Sequence, residues 1–383
     1  MSPEAREGGI KIAPGLLPVV FPIGLLGSVS PSSFQTLKQC KLSAVWTANR
    51  MPRLLPKHPA ARLGTVMHSM LEKAGNGELR SIASFDTFWL ESVEEEERKM
   101  RESWIEQHLL PLESTAKHFE LKKRQCKLLA QRICLDSAPI LQKCLPPRTA
   151  GQEVELRTPD GQVKGRADVI KRQEEGDIII DFKTGDLTTD RDSNTPQVIE
   201  NYALQLKLYA AIYHAERGSW PVALRLVGIE GQSIDVPFSP TDCLKLLQEA
   251  RTILNKTNCE IRSSSDYSAT LTQFASPGEE NCKYCGYRPC CTPYWGARAK
   301  GGDGWPNDVK GSLEQYTVLG NGRLFIKVVS SYGDESVIIR GLDPNRHPAL
   351  NGGSGKLLLF GLVRDGSTTS FKEGVLTTIY TIR

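Results

Sequence analysis

The sequence predicts a mixed α/β protein of two or three units, with an α/β core in mid-chain and an all-β unit at the C-terminus. Three observations carry this expectation. At 383 residues the chain is longer than one hydrophobic core usually serves. Its apolar periodicity switches from helical to alternating near residue 150 and back to helical near 200. Beyond residue 300 only short strand-like runs follow, such as "RLFIKVVSS", "ESVIIRG", "KLLLFGLV" and "LTTIYTI". A hydrophobic content of 39% with 24% charged residues belongs to a folded chain and excludes intrinsic disorder. The net charge of +4 neither demands nor excludes a polyanionic partner.

From the N-terminus, "APGLLPVVFPIGLLGSV" is the one candidate targeting segment. Pro14, Pro18 and Pro22 recur every four residues and deprive a helix of donors, so the run reads as extended chain packed on the fold. A cleaved signal peptide is the alternative. No apolar run approaches the twenty residues a membrane span needs, and a cytoplasmic protein without membrane association is expected. A serine-flanked Pro31 then starts a helix carrying Phe34, Leu37, Leu42 and Val45, with Cys40 inside it. Residues 63–145 keep helical spacing, and "ESVEEEERKMRESWIEQHLL" reads as a solvated charged face. Between 150 and 185 the turn chemistry of Thr158-Pro159-Asp160-Gly161 and Glu174-Glu175-Gly176-Asp177 divides a three-stranded antiparallel meander. A polar loop, "DLTTDRDSNTPQ", leads to a helix, "VIENYALQLKLYAAIYHAE", then to a strand, "ALRLVGIEG", and to a second helix, "PTDCLKLLQEARTILNK". The units expected are 1–62, 63–150, 151–275, a cysteine segment at 276–299 and a β unit at 300–383, joined through the linker-like "RAKGGDGWPND".

The central strand "IIIDFKTG" raises a question of charge. Its isoleucines suit a strand buried on both faces, yet it ends in Asp181 and Lys183. A hairpin turning between Glu174 and Glu175 sets Asp168 opposite Asp181, and opposed carboxylates about 5 Å apart repel. Lys183 shares the face of Asp181, because strand side chains alternate. One lysine does not neutralise two aspartates and Glu155 besides, so an oxygen-seeking divalent ion is the natural completion. Lys183 is then available to polarise a water, which is the arrangement of metal-assisted phosphodiester hydrolysis. A surface ion pair at a strand end is the plainer alternative.

The ordered series "GTVMHSMLE" (His68), "GRADVI" (Asp168), "IIIDFKTG" (Asp181, Lys183) and "QLKLY" (Gln205, Tyr209) resembles the PD-(D/E)XK nucleases of the RecB and AddB type over about residues 28–295. The resemblance implies a restriction-endonuclease-like core with a helical insertion. It implies that His68, Asp168 and Asp181 ligate Mg2+ or Mn2+ with the help of the Phe182 carbonyl. Asp168, Asp181 and Lys183 would be the catalytic residues, and Gln205 and Tyr209 would line the DNA path or support the site.

Ten cysteines fall into scattered positions and the cluster "CKYCGYRPCC". Clustered thiols in a chain without export more often hold metal than form disulfides. Cys282, Cys285 and Cys291, taken with the distant Cys40, resemble the split pattern of AddB and of CRISPR-associated iron-sulfur exonucleases. That implies a 4Fe-4S cluster clamping the two ends of the core, with Zn2+ as the alternative. Cys290 competes with Cys291 for the fourth position. The reading is a Mg2+/Mn2+-dependent deoxyribonuclease acting on single-stranded DNA, as an exonuclease rather than an endonuclease, in DNA repair, recombination or antiviral defence. No helicase motif occurs, so unwinding would come from a partner subunit. A non-catalytic nucleic-acid-binding subunit and a zinc-stapled interaction protein are the alternatives. The C-terminal strands suggest a small OB-like barrel, with Phe325, Tyr332, Phe360 and Phe371 filling its core or, as the alternative, stacking on bases.

Overall fold

Ser30 opens the first helix with a reciprocal cap. Its hydroxyl accepts the Ser33 N–H at 3.1 Å, the Ser33 hydroxyl accepts the Ser30 N–H at 2.9 Å, and Pro31 occupies the first turn, where no donor is needed. The structure is a computed structural model that describes residues 13–382 except 18–19, 76, 80–81, 138–153, 190–197, 303, 333–334 and 352–354. Pro18, Cys144 and the greater part of the polar loop at 186–197 lie outside the described residues. The helix expected to contain Cys40 is two helices, α1 (Pro31–Gln39) and α2 (Lys41–Ala48). Cys40 joins them with φ −152° and ψ 98°, an extended backbone that takes it off the face burying Phe34, Leu37, Leu42 and Val45. Its thiol instead lies 4.0 Å from the Phe274 carbonyl.

Helices α3 (Pro59–Gly75), α4 (Phe85–Arg101), α5 (Leu112–Thr115) and α6 (Phe119–Ser137) pack around Met67, Met70, Phe85, Trp89 and Leu129. Their acidic stretch is not solvated throughout. Glu96 and Glu106 are only 5% and 3% exposed, because Arg62 on α3 pairs with both. A buried carboxylate without such a partner would be driven to its neutral form.

Strands β1 (Val154–Arg157), β2 (Lys164–Ala167), β3 (Val169–Gln173) and β4 (Gly176–Lys183) replace the expected three-stranded meander. "GRADVI" divides at Asp168, so β1 and β2 form a two-stranded sheet while β3 pairs with β4 in another. Ala167 has turned away to pair with Val154, and the Asp168 carboxylate accepts the Phe182 N–H at 2.7 Å in place of a ladder carbonyl. After α7 (Glu200–Arg217) come β5 (Ala223–Gly228), β6 (Ser233–Asp235) and α8 (Pro240–Ser263). The sheet runs β3-β4-β5-β6, with β4 and β5 parallel. A parallel pair needs a crossover, and α7 supplies it. Ile179 faces the core shared with α1, α2, α7 and α8, whereas Ile180 and Phe182 face the α3–α6 bundle, which accounts for the unbroken apolar run.

Helices α9 (Tyr267–Phe274), α10 (Glu279–Lys283) and α11 (Thr292–Arg298) frame the cysteine segment. The remaining strands are β7 (Val309–Val318), β8 (Leu324–Ser330), β9 (Ser336–Leu342), β10 (Lys356–Phe360), β11 (Val363–Arg364), β12 (Ser370–Lys372) and β13 (Thr378–Ile382). They make one curled sheet in the order β11-β12-β9-β8-β7-β10-β13, a half-barrel whose edge strands β11 and β13 do not pair among the described residues. Among the described residues the sheet is thus a half-barrel and not the closed OB-like barrel expected. One face of β10 and β13 is used instead to pack Leu358, Phe360 and Tyr380 onto the α/β core, while Leu357, Leu359 and Ile379 fill the sheet's own core. Phe371 is buried there too, and Tyr332 stacks on Trp295 at 6.2 Å. The glycine-rich "linker" is docked, with Asp308 buried and Trp305 against Tyr294 at 5.8 Å. Among the described residues no helix is long and apolar enough to cross a membrane.

Candidate metal centre and cysteine cavity

The ladder pairs Gln173 with Gly176 and Val169 with Ile180. One further step places Asp168 opposite Asp181, at the open end of the sheet. Both are buried, at 8% and 2% exposure. Burial, then the Asp168 charge, raises the Asp181 carboxyl above the usual carboxylate range, and the Lys183 ammonium pulls it back in part. Lys183 Nζ lies 2.7 Å from Asp181 Oδ2, on the same face of β4. That oxygen nevertheless accepts no aligned hydrogen bond.

From α7, Gln205 closes a ring. Its Nε2 donates to Asp181 Oδ1 at 3.0 Å, and its Oε1 accepts from Lys183 Nζ at 3.0 Å. Only one orientation of the amide serves a carboxylate and an ammonium together. Lys183 also lies over the Tyr202 ring at 4.7 Å, which narrows its range of positions.

His68 comes from α3. Its Nε2 is 3.2 Å from Asp168 Oδ2 and its Nδ1 2.8 Å from Glu72 Oε1. Burial opposes charge on the imidazole, but the hydrogen bonds to Asp168 and Glu72 outweigh it and push its pKa up to about 10. His68, Glu72 and Asp168 bring ligand atoms within 4.8 Å of one another, the one such group of three among the described residues. Glu72 is the residue sequence reasoning passed over, though its signal was present, four residues after His68 on one helix face.

Phe182 enters through its backbone, by the N–H bond to Asp168. Lys183 O bonds the Ile229 N–H on the β5 side, so by strand alternation the Phe182 carbonyl faces the Asp168 side. Glu155 does not take part: it is exposed on β1, opposite Arg166. Tyr209 stands behind the site, buried, with its hydroxyl donating to the Arg166 carbonyl at 2.6 Å. It steadies β2 and also bonds Gln205, a placement that fits support of the site and not the lining of a surface path.

Cys40, Cys282, Cys285 and Cys291 line one cavity with Trp46, Arg288 and Tyr294. Cys290 is not among its lining residues. Arg288 Nη1 holds the loop in shape by donating to the carbonyls of Cys282, Lys283 and Cys285 at 2.7, 3.1 and 3.1 Å. Burial raises the thiols of Cys282, Cys285 and Cys291 above the ordinary range, to about 11 for Cys282. A metal would have to displace those protons. No three of the sulfurs come within 4.8 Å of one another. A tetrahedral zinc with Zn–S bonds of about 2.3 Å would hold them about 3.8 Å apart. No three of the four sulfurs stand that close together.

A search of the curated proteins and of the solved structures finds no match. The family model of the PD-(D/E)XK nuclease superfamily does match, over residues 28–292, a span that holds the whole metal centre and all four cavity cysteines. Opposed aspartates at a sheet end, a lysine two residues on and a family match across most of the chain lead to one assignment: the chain belongs to the PD-(D/E)XK nuclease superfamily.

Proposed function

We propose that this protein is a Mg2+- or Mn2+-dependent deoxyribonuclease that cuts single-stranded DNA and carries a 4Fe-4S cluster on Cys40, Cys282, Cys285 and Cys291. One observation carries the reading. His68, Glu72 and Asp168 bring ligand atoms within 4.8 Å of one another, and the neighbouring Asp181 carboxylate, outside that group but buried and acted on by the charges of Asp168 and His68, has the Lys183 ammonium 2.7 Å from its Oδ2. Two buried carboxylates beside an imidazole, with one lysine to balance them, fit a hard divalent ion.

His68, Asp168, Asp181 and the Phe182 carbonyl would hold that ion, and Glu72 would orient His68 or join the set. When bound, it neutralises the facing carboxylates and the phosphate, as a Lewis acid. Lys183 positions a water and stabilises the negative charge that builds on the phosphate oxygens. Gln205 shares the Lys183 ammonium with Asp181, taking a hydrogen bond from it and giving one to the carboxylate. Overall, water gives its oxygen to phosphorus and a proton to the departing O3′, leaving 5′-phosphate and 3′-hydroxyl ends. Every expected polar position is filled, which favours an enzyme over a binding-only subunit. Exonuclease action in repair, recombination or antiviral defence, alongside a partner that unwinds DNA, is the setting this reading implies.

Anaerobically purified protein should digest end-labelled single-stranded DNA with Mn2+ and lose that activity in EDTA. Asp181→Ala and Lys183→Ala should each abolish cutting and leave the visible absorbance of the cluster intact. Full activity in both variants would dismiss the site, and a colourless protein holding zinc would dismiss the cluster.

A further inference from the structure

Tyr284 sits between two cavity cysteines yet is 78% exposed, the most exposed large apolar side chain among the described residues. An aromatic ring in water normally either turns inward or serves a contact. Its backbone is held in place. The flanking Cys282 and Cys285 line the cavity, and Arg288 grips the carbonyls on both sides. Its setting is cationic. Lys283 Nζ lies over the ring at 5.5 Å, and Arg53 Nη2 donates to the Tyr284 carbonyl at 3.2 Å. Gly286 makes that approach possible, because a Cβ there would lie 2.7 Å from the Arg53 guanidinium carbon.

The chain that carries Arg53 leads to the metal centre. Leu54 N–H bonds the Gly286 carbonyl at 2.9 Å, so residues 53–54 lie directly against the cysteine loop. From Asn49 to Leu71 the sequence holds no carboxylate, but it does hold Arg50, Arg53, Lys57 and Arg62, and α3 then delivers His68. Burial is the first cause that pushes the Lys57 ammonium below its ordinary pKa; the charges of Arg62 and Arg53 add to it, and those of Glu106 and Glu96 oppose it. Arg62 itself is committed to Glu96 and Glu106. The acids nearby are Glu106, which accepts the Lys57 N–H at 2.7 Å, Glu96 beside it, and Glu279 and Glu280 on α10, of which Glu279 is turned toward Gly302 and Gly304.

We infer that Tyr284, with Lys283 and Arg53, is a stacking platform for one base of a single strand whose phosphates follow the basic 50–62 segment toward His68. The inference rests on the nuclease reading for the direction of the strand and on the structure alone for the platform. An exposed ring on a pinned backbone offers a π-face to any base, and flanking cations suit the adjoining phosphates. A duplex keeps its bases stacked internally and gains nothing from the ring.

The test is fluorescence anisotropy with a labelled oligothymidylate of about twelve nucleotides, in EDTA so that nothing is cut, using the full chain with its cluster. Tyr284→Ala should weaken binding roughly 5- to 150-fold, the stacking of one base. Tyr284→Trp should retain wild-type affinity, and the affinity for duplex of the same length should not change. An unchanged cluster spectrum and melting temperature show that the loop has held its shape. Wild-type affinity in Tyr284→Ala, as expected if the ring served a protein partner, overturns the inference, and so does an equal loss on duplex. Cleavage is scored separately in Mn2+. A protein that does not cut but still loses single-strand affinity in Tyr284→Ala retains the platform and refutes only the nuclease.

Discussion

Lys183 would be a poor catalyst if its only neighbour were Asp181, for an ammonium paired tightly to a carboxylate has little left to offer a water. Gln205 divides that attention, taking a hydrogen bond from Lys183 and giving one to Asp181. Gln205→Ala is therefore expected to lower kcat on the order of 10²-fold, the usual effect of a misplaced catalytic group. KM for DNA and the affinity for Mn2+ should stay near wild type, which steady-state kinetics and a Mn2+ titration would check. Glu72 works from the other side. It holds Nδ1 of His68 while Nε2 meets Asp168, so Glu72→Gln should weaken Mn2+ binding roughly 10- to 100-fold with the helical circular dichroism intact. The two variants separate water positioning from metal binding. Asp168, Asp181 and Lys183 were legible in the sequence because a two-residue turn and a period of two determine which side chains meet. Glu72 was not singled out, because a glutamate one turn from a histidine looks like any surface pair until α3 is laid against Asp168. For Tyr209, helical spacing put it on the face of Gln205 but gave no depth, so the sequence left lining the path and supporting the site as alternatives, and its burial fits support.

Elements came out of the sequence where local chemistry decides them and were missed where a distant partner does. The Ser30 cap, the Glu174–Glu175 hairpin and the α7 crossover are local. The break at Asp168 is not, since it depends on Ala167 finding Val154 and on the Phe182 N–H donating to a carboxylate in place of a carbonyl. The break at Cys40 depends in the same way on a cavity whose other walls lie some 240 residues later. Gly165 in β2 shows how closely the separated hairpin is held. A Cβ there would meet Pro31 Cδ at 2.6 Å and Tyr209 Cε1 at 3.1 Å, and neither ring has room to withdraw. Gly165→Ala should cost about 1–3 kcal/mol of stability in urea unfolding, as overpacking does. Gly278→Ala makes the matching control. It meets nothing within 4 Å and has extended backbone at φ −163°, so it should stay within about 0.5 kcal/mol of wild type.

At the scale of the molecule, the α/β core and the C-terminal sheet are joined through a buried ion pair as well as through apolar packing. Arg288, whose Nη1 binds three carbonyls of the cysteine loop, turns its Nε to Asp308 Oδ2 at 2.7 Å. Tyr294 donates to the same oxygen at 2.7 Å, and Asp308 Oδ1 accepts the Gly361 N–H beyond the end of β10 at 3.1 Å. The glycine-rich run before Asp308 resembles a linker in composition alone, and composition does not reveal that its last carboxylate neutralises a buried guanidinium. Removing that carboxylate strands the charge, while removing both partners does not. Asp308→Ala should therefore cost about 3–5 kcal/mol, and the pair Arg288→Met with Asp308→Leu clearly less than Asp308→Ala alone. Hydrogen exchange at the Gly361 amide should accelerate first, because it loses its acceptor. If the protein carries the proposed cluster, its absorbance should fade next under air, because Arg288 without its counter-ion no longer fixes the Cys282–Cys285 carbonyls. Equal stability in Asp308→Ala and wild type would mean that the sheet is held by Leu358, Phe360 and Tyr380 alone, and that the cysteine loop keeps its shape without help from the C-terminal unit.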